Sequence, residues 1–249
     1  MRPLVLGING SPRKYGNALK LLMVALEGAK SEGAETKVYH LYDMDIRPCL
    51  GCVSDSGKLC RYPCIIEDDM KRLYDELLKA DAFILSTPVY WYGVSGVVKN
   101  FIDRLTALEN MIYFDGRSWL EGKVAGFIAV GNDVGALATI QNLMAVLNSM
   151  GVLIPPWALA YYEGKGDVLD DKQPVADAWN IGRIVAVTVK VLRSHRIERW
   201  YLEDKEAITA AVRYAREVIS RLRKSQERER LAMLERLRSL DQGGARTRA

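Results

Sequence analysis

Short apolar runs alternate along the chain with longer stretches in which hydrophobic residues recur every three or four positions. Residues 3–9 (PLVLGIN) read as a strand, and residues 16–30 read as a helix with Leu19, Leu22, Met23 and Leu26 along one side. The alternation continues with strands expected over 36–41, 82–86, 124–130 and 152–154, the last closed by Pro155-Pro156. Helices are expected over 67–79, 94–108 and 135–150. Five short apolar strands separated by amphipathic helices predict a doubly wound α/β fold, a five-stranded parallel sheet covered on both faces. In such sheets ligands bind at the carboxyl ends of the strands, where the strand order reverses. Two further helices, 174–192 and 203 to about 240, follow the sheet, and the closing GGARTRA reads as frayed. The expected organisation is one α/β domain over 1–195 with a helical, basic C-terminal extension over 196–249.

Composition narrows this picture little, but its distribution matters. Of the 249 residues, 49% are hydrophobic and 27% charged, values of an ordinary folded protein. No apolar run reaches the length of a bilayer crossing, and the first residues enter a strand-like run without a signal-peptide pattern, so a cytoplasmic location is expected. The net charge of +4 is concentrated in residues 221–249, which hold nine of the 35 Lys and Arg against four of the 31 Asp and Glu. The main domain therefore offers no electrostatic reason to expect a nucleic-acid partner.

Candidate chemistry gathers in three loops predicted at one sheet edge. The first, Gly10-Ser11-Pro12-Arg13-Lys14-Tyr15-Gly16-Asn17-Ala18, brings a hydroxyl, a guanidinium and backbone N–H groups to a helix N-terminus, a favourable place for a phosphate. It matches neither the dinucleotide nor the Walker glycine pattern. Ser-Pro and Gly-Asn also suit a plain turn, with Asn17 capping the helix. The second loop, Pro88-Val89-Tyr90-Trp91-Tyr92-Gly93, can lay ring faces and amides against a flat heteroaromatic ligand. Gly131-Asn132-Asp133-Val134-Gly135 supplies further backbone at the same edge. All four cysteines, Cys49, Cys52, Cys60 and Cys64, lie within sixteen residues after the second expected strand. Such a set can hold an iron–sulfur cluster or zinc, or remain free thiols or a redox disulfide. Glu67-Asp68-Asp69 is expected to cap the following helix. His40 and His195 read as structural, and Trp157, Tyr161 and Tyr162 suit either the ligand edge or packing.

NGSPRKYGNA, STPVYWYGVSGVVKNFIDRL and the Gly131 loop, in this order, resemble the NADPH-dependent FMN reductase group of flavodoxin-like proteins over about residues 1–195. The resemblance implies FMN, with Ser11, Arg13, Asn17 and the amide of Ala18 on its phosphate and with Pro88, Val89, Tyr90, Trp91 and Gly93 beside its ring, and Gly131 and Asn132 close by. Ala18 stands where the group usually has Thr or Ser, which removes a hydroxyl but keeps the N–H. The cysteine segment resembles the iron–sulfur flavoproteins, a branch carrying a [4Fe–4S] cluster near FMN. That branch usually has a third cysteine three residues after the second; here the position is Asp55, and Cys60 is the additional thiol. The resemblance further implies an oxidoreductase passing electrons from NAD(P)H or ferredoxin to a small acceptor or protein redox partner, and assembly as a homodimer or homotetramer. An electron-transfer protein and a non-enzymatic interaction protein are the alternatives. No side chain reads as a catalytic acid, base or nucleophile. In the tail, Leu231, Leu234, Leu237 and Leu240 form a stripe that drifts around the helix, either an interface or a solvated face.

Overall fold

The computed structural model describes residues 2–195, 197, 200 and 204–244. Residues 196, 203 and 245–249, at the expected domain join, helix start and frayed end, lie outside the described residues. The strands are β1 (Leu4–Asn9), β2 (Glu35–His40), β3 (Ala82–Pro88), β4 (Val124–Gly131) and β5 (Leu159–Glu163). The helices are α1 (Asn17–Ser31), α2 (Cys52–Asp55), α3 (Met70–Lys79), α4 (Gly96–Arg104), α5 (Thr106–Glu109), α6 (Ile112–Asp115), α7 (Ala136–Ser149), α8 (Lys172–Ser194) and α9 (Lys205–Gly244). All strand pairs are parallel, in the order β2-β1-β3-β4-β5. This is the flavodoxin-like order, and it reverses between β1 and β3.

Strand alternation divides the core into two layers. Leu6, Ile8, Phe83, Leu85 and Phe127 point to one face and pack with Leu73, Leu77, Phe101 and Leu143 of α3, α4 and α7. Val5, Ile84 and Ile128 point to the other and meet Leu21, Leu22 and Ala25 of α1 and Ile181 and Val185 of α8. Each such fully buried Val, Leu, Ile or Phe side chain contributes about 1.5–3 kcal/mol relative to exposure. The close approach of α1 and α8 depends on a missing side chain. A Cβ built on Gly182 would stand 1.6 Å from the Ala25 carbonyl oxygen, so only glycine fits at that crossing.

Two expectations are corrected here. The fifth strand is Leu159–Glu163, not 152–154; Leu153 makes an isolated bridge to Val124 before Pro155-Pro156 interrupts the ladder. In α1 the buried stripe runs through Ala18, Leu21, Leu22, Ala25 and Ala29, and Met23 is exposed. The chain separates into two units, 1–201 and 202–249. The first holds the sheet, and the second consists, in its described part, of the 40-residue helix α9. Among the described residues no helix is long and apolar enough to cross a membrane.

Candidate cofactor cleft and cysteine pocket

The loops after β1 and β3 meet at the switch point. Gly10 N–H donates to the Ser86 carbonyl at 2.7 Å, and Ser95 Oγ donates to the Gly10 carbonyl at 2.7 Å. Ser11 folds on itself, since its N–H donates to Asn9 Oδ1 and its Oγ accepts from the Arg13 N–H at 3.2 Å. Asn9 in turn contacts His40 Nδ1 at 3.0 Å, which gives that histidine a structural place. Gly16 is the N-cap of α1, and no side chain caps this helix. Its first-turn amides, including that of Ala18, therefore lack an intrahelical acceptor and sit at the positive end of the helix dipole.

Asn17 does not cap α1. Its Nδ2 donates to the Gly166 carbonyl at 2.8 Å and its Oδ1 accepts from the Val168 N–H at 3.3 Å, while Lys20 pairs with Asp167 at 2.6 Å. These contacts bring the segment after β5 over the phosphate-type loop. Between them lies a cleft of about 460 Å³, within the range of small-ligand sites. Ser11, Arg13, Asn17, Ala18, Pro88, Val89, Tyr90, Gly131 and Asn132 all line it. Trp91 and Gly93 do not, and Trp91 stands 97% exposed at the tip of a tight hairpin.

That hairpin is closed by reciprocal hydrogen bonds between Tyr90 and Gly93, at 2.9 and 3.1 Å. Trp91 and Tyr92 have φ of 52° and 62°, a conformation that costs a non-glycine residue about 1–3 kcal/mol. Tyr92 covers the third loop at Gly135, where a Cβ would lie 2.9 Å from the Tyr92 ring. Sequence reasoning missed the far wall, formed by Gly164, Lys165, Gly166 and Asp167. Correct placement of β5 would have put that loop at the same edge. Trp157, Tyr161 and Tyr162 lie outside the cleft lining, and Trp157 and Tyr161 are exposed.

All four cysteines line a second, small pocket of about 20 Å³ together with Asp103, Arg104 and Ala107, and all four are free thiols. Asp55 is exposed and outside the pocket, whereas Cys60 is part of its wall. Asn110, itself buried, fixes the loop by donating to the carbonyls of Gly57 and Cys60, each at 2.6 Å. Burial, followed by the neighbouring Cys49, Cys64 and Cys52, pushes the Cys60 thiol up to about 11. Among the described residues no three Cys, His, Asp or Glu side chains are arranged to hold one metal ion, so the thiols share a pocket without ligand geometry.

Arg104, at the end of α4, was not singled out by the sequence reading. Its side chain is 1% exposed and its Nη1 lies 2.7 Å from Asp68 Oδ2, whose carboxylate is fully buried. Nη2 donates to Asp68 Oδ1 at 3.2 Å, and further guanidinium contacts reach the carbonyls of Arg47 and Ile66. Its Nε is buried with no hydrogen-bond partner. Burial works against the Asp68 carboxylate, but the Arg104 hydrogen bond and the amides of Arg47 and Met70 hold it below the usual range. Asp68 thus serves α3 partly as expected, accepting from the Met70 N–H, but its larger partner is Arg104. The signal for Arg104 lay in its spacing. It falls between Phe101 and Leu108 on the buried stripe, where an isolated charge needs a partner.

The family model for NADPH-dependent FMN reductase matches residues 3–164, and the chain belongs to that family of FMN-dependent oxidoreductases. An iron–sulfur flavoprotein of Methanocaldococcus jannaschii is 35% identical over 201 residues, covering 76% of this chain and 98% of the relative. An iron–sulfur flavoprotein of Archaeoglobus fulgidus is 36% identical, over 66% of this chain and 71% of the relative. In fold the chain is similar to RosB, with a TM-score of 0.68 and 21% identity, covering 86% of this chain and 87% of the other.

Both cofactor types find suitable donors. An uncapped helix start with Ser11 and Arg13 suits a phosphate, and Pro88 to Tyr90 facing Gly131 suits a flat ring. Four thiols beside a buried guanidinium with an unused N–H are the donor chemistry of a negatively charged thiolate cluster, and to admit one the pocket must widen and the thiols must draw into ligand geometry.

Proposed function

We propose that the protein is an iron–sulfur flavoprotein oxidoreductase that passes electrons from a reduced donor, NAD(P)H or ferredoxin, to a small acceptor. The observation that carries this reading is the convergence of Cys49, Cys52, Cys60 and Cys64 on one pocket wall. Helix α4 supports it further. Its N-terminal end adjoins the hairpin after β3 and its last residue, Arg104, lines the cysteine pocket, a span of about 14 Å at 1.5 Å per residue.

Ser11, Arg13 and the Ala18 amide would hold the FMN phosphate, and Pro88, Val89, Tyr90, Gly131 and Asn132 would bracket the ring. Asn17 positions the covering loop. The four cysteines would hold the cluster, losing their protons as they bind. When bound, FMN supplies hydride and single-electron chemistry and the cluster supplies one-electron chemistry. The chain itself orients these groups.

Absorption spectra before and after iron chelation test the reading, together with an FMN titration of Arg13→Ala. Loss of a broad visible band on chelation with flavin retained is expected. Loss of the charge-assisted contact should weaken FMN about 10- to 100-fold. A flavin-only spectrum in anaerobically prepared protein, unchanged by chelation, would favour a cluster-free reductase.

A further inference from the structure

We infer that Arg104 is a positioning and tuning residue whose Nε–H is reserved for a sulfur of the cysteine-held cluster. This inference rests on the iron–sulfur reading above. Three observations lead to it. The guanidinium is buried, and Asp68, Arg47 and Ile66 account for Nη1 and Nη2. Its Nε–H is left without a partner, although a buried unmade hydrogen bond is costly and native interiors rarely tolerate one. The pocket that Arg104 lines is the one lined by all four thiols.

The surrounding bonds restrict this N–H to one orientation. Asp68 grips the two terminal nitrogens, so the guanidinium plane cannot rotate without breaking the ion pair. Tyr74 Oη donates to the Arg104 carbonyl at 2.7 Å and anchors the backbone below it. A carboxylate-paired arginine adds little net charge, so what it contributes to a neighbouring sulfur is a directed donor. Hydrogen bonds to cluster sulfurs are among the factors that set reduction potential, and a donor favours the more negative, reduced state. The arginine therefore raises the potential of the centre without acting as a ligand.

The experiment uses full-length protein prepared anaerobically, with iron, sulfide and FMN counted first. Redox titration followed by electron paramagnetic resonance should give a lower midpoint for Arg104→Lys, which keeps the charge but lacks the fork. Arg104→Gln should lie lower still, with iron content matching the parent. Because either variant can compromise folding, a second measurement leaves Arg104 intact. Protein carrying ¹⁵Nε-labelled arginine and Arg61→Lys, which removes the other arginine of the pocket, is reduced and examined by electron spin-echo modulation. A ¹⁵N coupling to the cluster is expected. A loaded cluster with no such coupling, or iron-replete Arg104 variants with an unchanged midpoint, would overturn the role of Arg104 and leave the cluster reading standing. Parent protein that binds FMN but no iron would overturn both.

Discussion

The side-chain nitrogen of Asn17 donates to the Gly166 carbonyl at 2.8 Å, joining the start of α1 to the segment after β5 across 149 residues of chain. The cleft is therefore framed by elements from both ends of the domain, and its far wall is tied to α1 by the Asn17 side chain and by the Lys20–Asp167 ion pair.

Asn17→Ala removes two hydrogen bonds, each contributing about 0.5–1.5 kcal/mol, and frees the loop over the cleft. The expected result is an FMN dissociation constant raised about tenfold, with a loss of overall stability of no more than about 1–3 kcal/mol. Fluorescence titration of the flavin-free protein measures it; parent-like affinity would show that the loop does not cover bound ligand.

Asp68→Asn leaves the buried Arg104 charge without its counterion. Breaking such a pair costs about 3–5 kcal/mol, far more than an exposed ion pair such as that of Lys14 with Asp43 would. Urea unfolding at neutral pH should show that difference between Asp68→Asn and Asp43→Asn. Equal midpoints for the two variants would contradict the assignment.

Glu76 on α3 accepts from Lys37 Nζ and Tyr39 Oη of β2, both at 2.8 Å, and so ties the edge strand to the helix layer. The Lys37 and Tyr39 hydrogen bonds hold its carboxyl down at about 2. An unfolded glutamate titrates near about 4.3, so between those values the unfolded chain binds more protons. The stabilisation is present above the unfolded value and is lost as pH falls through the folded one. Denaturant unfolding from pH 6 to 2 should show a shallower pH slope for Glu76→Gln than for the parent. Superimposable slopes would rule this contribution out.

Gly182→Ala tests the helix crossing. A Cβ there would overlap the Ala25 carbonyl, so α1 and α8 must separate, at a cost of about 1–3 kcal/mol or more. A lowered thermal midpoint is expected, and an unchanged one would mean the helices have room that the geometry denies.

The strand–helix alternation was legible because the central strands carry unbroken apolar runs, as AFIL in β3 and VAGFIAV in β4 do. β5 was not. LAYYE is an edge strand with mixed burial, and Val152 and Leu153 offered a more apolar decoy before the prolines. From that error followed the omission of the 164–167 wall. The loop residues of the cleft were legible because glycine, proline and aromatic residues cluster there for backbone reasons. Arg104 and Asp68, 36 residues apart, were not, because a charged residue in a helix looks solvated until its neighbours on the same stripe prove buried.

The central claim is that one chain carries both FMN and a four-cysteine iron–sulfur centre. Anaerobic purification with flavin, iron and acid-labile sulfide counted per chain tests it most directly. The account predicts about one FMN with about four iron and about four sulfide per chain, and loss of the iron in Cys60→Ala. Flavin-loaded protein with no iron, or protein that neither contains FMN nor takes it up when added, would contradict it.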